Sequence, residues 1–175
     1  IPNLSNYKAI FVGAGFPFSP ILVNIFTHAK VEIVDVDEDA IKNAKKVINH
    51  LSSLKLINKN DFTFLNINCK DLDLNKKSNK TLLYLGSSLP NNVKSIILKK
   101  VTDEQTFVID RYVEGIYKVY YHESVPVEKL PGLRVIAEVH PYNIFNNLSE
   151  KKDRYVLINH NNNLNSARLL VMNET

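Results

Sequence analysis

Cysteine occurs once in the chain, at Cys69, so no internal disulfide can form and packing alone must hold the fold. Long apolar runs are missing as well: none approaches the roughly 18 residues that a membrane-spanning helix needs. No basic leader precedes a small-residue cleavage site. These absences lead to the expectation of a cytoplasmic protein with no membrane partner. His, Cys, Asp and Glu do not occur at zinc-ligand spacing, and neither a G-x-S-x-G elbow nor a P-loop is present, so no metal site is expected. The net charge is +4 and the pI is near 9.0, yet basic runs interleaved with aromatics are lacking. Lysines such as Lys42, Lys45, Lys46, Lys99 and Lys100 are scattered and read as solvated faces, which argues against a nucleic-acid partner while leaving small anionic ligands compatible.

What is present is an alternation of apolar strands and amphipathic helices. Residues 8–12 (KAIFV) form a β-branched and aromatic run closed by glycine, which predicts a buried strand. Ser19 before Pro20 predicts a helix start, with the serine oxygen accepting an orphan N–H of the first turn, and the helix extends to about His28. VEIVDV (31–36) predicts a second strand. Asp37, Glu38 and Asp39 then set negative charge at the positive end of the next helix, with Asp37 as its cap. In that helix Ile41, Ala44, Val47, Ile48 and Leu51 recur at helical spacing. FTFLNI (62–67), TLLYLG (81–86) and TFVID (106–110) continue as strands, with NVKSIILKKV (92–101) as a helix. Beyond them GIYKVYYH (115–122), LRVIAEVH (133–140) and RYVLINH (154–160) come with proline and glycine loops and no long helix. The fold class is therefore α/β, a doubly wound, mainly parallel Rossmann-like sheet with a β-rich C-terminal part that includes an antiparallel hairpin. At 175 residues and 20.0 kDa it suits one domain, 1–175, burying roughly two thirds of its unfolded surface.

In such a sheet the ligand crevice lies beyond the carboxyl ends of the strands. Gly13-Ala14-Gly15 follows the first strand, but Phe18 stands where a G-x-G-x-x-G fingerprint needs its third glycine, so the dinucleotide motif is incomplete. The two glycines either let backbone approach a ligand or simply make a tight turn. Asp35, with Val36 behind it, ends the second strand, where one carboxylate can accept both hydroxyls of a ribose. Asn68 and Cys69 follow the third strand and can hold an adenine through an amide oxygen and a backbone N–H. No basic partner marks Cys69 as a nucleophile. Gly86, Ser87 and Ser88 follow the fourth strand, where open backbone and hydroxyls are expected to face the crevice. Arg111 and Tyr112 follow the fifth, where a guanidinium can grip a carboxylate, the plainer alternative being an ion pair with Asp110 or Glu114. His140 before Pro141 closes the sixth.

Taken together, G-A-G-F-P, VDVDEDAIKNAKK and NCKD resemble the S-adenosylmethionine (SAM)-binding Rossmann fold of class I methyltransferases. More narrowly, VGAGFPFSPILV, TFVIDRYVEGIYKVYYHESVP and LRVIAEVHPYNIFNNL look like nicotianamine synthases, and especially their bacterial relatives that build staphylopine-type metallophores. That resemblance implies transfer of an aminocarboxypropyl group from SAM to an amino-acid amine such as histidine, with release of methylthioadenosine. It implies that Gly13, Ala14, Gly15, Asp35 and Val36 bind SAM, that Asn68 and Cys69 contact its adenine, and that Gly86 and Ser87 lie near its methionine part. Arg111, Tyr112 and His140 become acceptor-site or positioning residues. The partners implied are the small-molecule acceptor, an opine dehydrogenase acting on the product, and a second copy in a homodimer. Family members carry a helical domain before the Rossmann half, and with Ile1 in first place the expectation is the C-terminal part of a longer enzyme, inactive by itself without a positioned base. Rival readings are a SAM-dependent methyltransferase, a non-catalytic SAM-binding module and, last, an NAD enzyme.

Overall fold

The computed structural model describes residues 4–74, 80–103, 105–113, 125, 127, 130–139 and 153–160. Among these residues the sheet has seven strands: β1 (Tyr7–Val12), β2 (Lys30–Asp35), β3 (Phe62–Asn66), β4 (Lys80–Leu85), β5 (Thr106–Val113), β6 (Leu133–Val139) and β7 (Asp153–His160), in the order β3-β2-β1-β4-β5-β7-β6. β1 to β5 pair in parallel, while β7 runs antiparallel to both β5 and β6. The expected doubly wound, mainly parallel sheet with an antiparallel pair in its C-terminal part is therefore what the chain forms. The order reverses between β1 and β4, and this switch point is where a crevice opens at the carboxyl ends.

Side-chain alternation along the strands divides the interior into two layers. On one face Ala9, Phe11, Val31, Ile33 and Phe107 pack with Ile21 of α1 (Phe18–Thr27) and with Ile41, Ala44 and Ile48 of α2 (Glu38–Ser53). On the other, Ile10, Val12, Val34, Leu83, Leu85 and Val108 pack with Ile97 and Leu98 of α3 (Asn91–Leu98). Strands buried on both faces are near-continuously apolar, which is why IFV, VEIV and TLLYL read as strands without an alternating pattern.

Element ends differ from expectation in three places. α1 starts at Phe18 with Pro17, not Ser19, in the cap position, and no side chain caps it. Ile21 N–H already reaches Pro17 O at 3.1 Å, so Ser19 and Pro20 fall inside the first turn, whose N–H groups have no intrahelical partners for a proline to disrupt. α3 ends at Leu98 rather than Val101, the chain closing with short bonds from Lys100 N to Ile97 O and from Val101 N to Leu98 O. β5 runs three residues past Asp110, because β7 continues to pair with it through Val113. Asp37 caps α2 as expected, its carboxylate accepting the Asp39 N–H at 2.9 Å. The expected strand at 115–122 lies outside the described residues. Among the described residues no helix is long and apolar enough to cross a membrane.

Candidate functional site

The glycine turn leaves β1 with Gly13 N–H bonded to Val34 O at 2.9 Å, so the exit of β1 is tied to that of β2. Gly13 has φ +66°, a left-handed conformation, and a Cβ there would lie 2.7 Å from Cδ2 of Leu89. Gly86, beyond β4, donates its N–H to Val12 O at 3.3 Å, and a Cβ on it would lie 3.0 Å from the carbonyl oxygen of Gly13. The two glycines thus bring the chain segments on either side of the switch point into backbone contact, a steric role that a larger residue cannot fill.

Asp35 ends β2, and its carboxylate bridges two neighbouring turns. One oxygen accepts Asp37 N–H at 3.0 Å, and the other accepts Gly15 N–H at 3.4 Å. Behind it Asn66, the last residue of β3, donates its side-chain amide to Asp35 O at 3.1 Å and to Val36 O at 3.0 Å. Asn66 is a supporting residue that the sequence reading missed. An amide at the end of a strand beside the acidic strand end was the available signal. Asn68 caps the short 3₁₀ turn Cys69–Asp71, its Oδ1 accepting Lys70 N–H at 3.0 Å and the Cys69 thiol at 3.6 Å. The Lys100 ammonium donates to Lys70 O and to Leu72 O, fastening this loop beside α3.

These pieces enclose a cleft of about 260 Å³. Gly13 and Asp35 border it with Val36, Asn68 and Cys69, while Val12, Val34, Ile67, Leu89 and Val93 make its walls largely aliphatic. Val36 is 70% exposed and Phe16, next to Gly15, is 67% exposed. Five of the residues singled out in the sequence therefore share one cleft. Ala14 and Gly15 form the turn beside it. Gly86 lies beneath the turn, and Ser87 is buried rather than open to the crevice. Arg111 and Tyr112 are not in a loop after β5 but inside it, in register with Tyr155 and Arg154 of β7. His140 lies outside the described residues.

Asp110 has a partner that was not foreseen. Both it and Lys94 of α3 are fully buried, and they form an ion pair at 2.5 Å. By strand alternation Arg111 belongs to the opposite face of the sheet from Asp110. Among the described residues no group of three His, Cys, Asp or Glu is arranged to hold a metal ion.

No protein-family profile matches the chain, and no curated protein is significantly similar to it. Solved structures are. A mutant of the nicotianamine synthase MtNAS in complex with S-adenosylmethionine superposes with a TM-score of 0.64 at 18% identity, over 87% of this chain and 54% of that one. M. capricolum TrmK in complex with S-adenosyl-homocysteine gives 0.59 at 16% identity, over 92% of this chain and 65% of that one. A S-adenosylmethionine-dependent methyltransferase from Clostridium acetobutylicum gives 0.61 at 11% identity, over 90% and 85%. The chain has the Rossmann-like fold of the SAM-dependent methyltransferases. It spans about half the length of MtNAS, 54% in the superposition. Within the methyltransferase-like fold, the cleft between Gly13, Asp35 and Asn68 is the crevice at the switch point.

Proposed function

We propose that the chain binds SAM in this cleft and is the cofactor-binding part of an aminocarboxypropyl transferase acting on an amino-acid amine, with histidine as the preferred acceptor. The observation that carries the binding is the Asp35 carboxylate, held at the mouth of an aliphatic slot by Gly15 and Asp37. A ribose diol suits that carboxylate, and a flat adenine suits the slot between Val34, Ile67 and Val93. Asn68 and Cys69 would meet the adenine edge, and the glycine turn, open at Gly15, with Gly86 beneath it would lie near the methionine part. The likeness to MtNAS and to other SAM-dependent enzymes supports the same ligand.

A sulfonium activates each of its three carbons, and the one that reacts is the one held in line with the nucleophile. In the transfer proposed, the lone pair of the acceptor nitrogen forms a bond to the γ-carbon of the methionine part. The bond from that carbon to sulfur breaks, and its electron pair stays on sulfur, leaving neutral methylthioadenosine. The amine must react unprotonated and sheds a proton to a base or to solvent. Arg111, Tyr112 and His140 are proposed for the acceptor side, a guanidinium matching the acceptor carboxylate. The product would pass to an opine dehydrogenase and then serve as a metal chelator.

The test is incubation of the protein, as this chain and as any longer natural form, with SAM and a pool of amino acids. The nucleoside product is followed by mass spectrometry. Amino-acid-dependent methylthioadenosine is the expected result. S-adenosylhomocysteine would replace the reading with methyl transfer, and SAM binding without turnover in every form would reduce it to a binding module.

A further inference from the structure

The buried pair Lys94–Asp110 is costly to keep, since each ion loses its water and the attraction between them offsets this only in good geometry. Both side chains are fully buried, and the contact is 2.5 Å. Its location gives it a use. The parallel register of β4 with β5 ends at Leu85 and Asp110, and one residue later the Lys94 ammonium donates to Arg111 O at 3.0 Å. Lys94 thus takes up the edge of β5 just where β4 stops. On its own helix Lys94 N–H is bonded to Pro90 O at 3.0 Å, and Val93 N–H to the same oxygen at 2.9 Å. Leu89, Pro90 and Val93 form one wall of the cleft.

We propose that Lys94 and Asp110 are positioning residues, a buried brace that fixes the Leu89–Val93 wall of the cleft against the carboxyl end of β5. The brace sets the width of the cleft and holds the backbone of Arg111 in a constant relation to it. Its consequence for SAM rests on the function proposed above, whereas its consequence for the wall does not. A packed apolar contact would stabilise equally well or better. An ion pair with a third, directed bond holds distance and angle, which apolar contact does not.

The test compares the native chain with Lys94→Met/Asp110→Asn, which removes both charges with little change in volume, and with Lys94→Arg, which keeps the charge but alters the reach. The first readout is amide hydrogen exchange without ligand. Protection of Val93 and Lys94 N–H should fall at least tenfold in the neutral pair, while amides of α2 stay unchanged. The second readout is the SAM dissociation constant, which should weaken at least tenfold in the neutral pair even where the thermal midpoint is kept. Should the neutral pair fail to fold, Lys94→Arg carries the test, with loss of protection confined to the first turn of α3. Unchanged exchange at Val93 and Lys94 would overturn the proposal whatever SAM does. So would SAM affinity within twofold of native in a variant whose native parent binds SAM. Altered exchange in a protein that never binds SAM would leave the brace standing and remove the function proposed for the cleft.

Discussion

Replacing Gly13 with alanine tests the geometry on which the cleft depends. At φ +66° an L residue carries about 1–2 kcal/mol of backbone strain. The new Cβ would stand 2.7 Å from Cδ2 and 3.0 Å from Cγ of Leu89. Rotation about the outer bond moves Cδ2 away but leaves Cγ, so the whole side chain must change rotamer or the turn must shift, at about 1–3 kcal/mol. Alanine's lower unfolded-state entropy returns about 0.4–1 kcal/mol. The net loss expected for Gly13→Ala is about 1–4.6 kcal/mol. Gly15 supplies the control: φ is +53° but nothing lies within 4 Å of a Cβ there, so Gly15→Ala should cost only about 0–1.6 kcal/mol. Equilibrium urea unfolding of both variants, of Leu89→Ala and of the Gly13→Ala/Leu89→Ala pair gives the cycle. Truncating Leu89 should recover about 1–3 kcal/mol of the Gly13→Ala loss as coupling. Equal losses at the two glycines, or additivity in the pair within about 0.5 kcal/mol, would refute the close approach of the turn to Leu89.

The other expectations are narrower. Asp35→Asn should weaken SAM binding about tenfold to 100-fold, the equivalent of about 1.5–3 kcal/mol for hydrogen bonds to a charged group, with an unchanged calorimetric isotherm as the contrary result. Asp37→Ala removes the cap on α2 and should lower stability by about 1 kcal/mol in urea while leaving SAM affinity alone. Arg111→Ala should raise KM for the amino-acid acceptor and leave SAM affinity largely intact; equal loss of both, or of neither, would count against an acceptor role. At the start of β1, burial pushes the Tyr7 phenol above its ordinary value of 10.0. The folded state therefore favours the protonated ring, a contribution complete below the unfolded pKa and lost as pH rises through the higher folded one. Tyr7→Phe keeps the ring under the Lys80 ammonium and should flatten the fall in urea midpoint as pH rises beyond 10.0 relative to native.

Local physics made most of the fold readable. Apolar runs such as KAIFV and VEIVD are strands because they are covered on both faces, and α2 announces itself through the three adjacent acids Asp37, Glu38 and Asp39 and an apolar stripe. The same is true of the cleft, because Asp35 ends a strand, Gly13 and Asn68 come just after one, and a parallel sheet brings strand ends together. Reading Ser19 as the cap failed for a local reason too. Serine before proline is a good start signal, but Pro17 two residues earlier was equally able to begin the helix, and Ile21 N–H found its carbonyl first.

The place of Arg111 within β5 and the burial of Lys94 were not foreseen for a different reason, since their surroundings depend on pairing between distant segments. Nothing near Arg111 says that β7 will prolong β5 by three residues and draw it out of the loop after Asp110. The partner of Asp110 was equally remote, yet a trace of it is written in the helix. Lys94, Ile97, Leu98 and Val101 recur at i, i+3, i+4 and i+7, and the last three are core residues, so the lysine stands on the buried stripe of α3 and not on its wet side. A lysine in such a position requires a buried acceptor. Parity then points to Asp110, which shares its sheet face with Val108, a residue packed in the same layer as Ile97 and Leu98. A charge at a core position is thus the sequence signal for the brace.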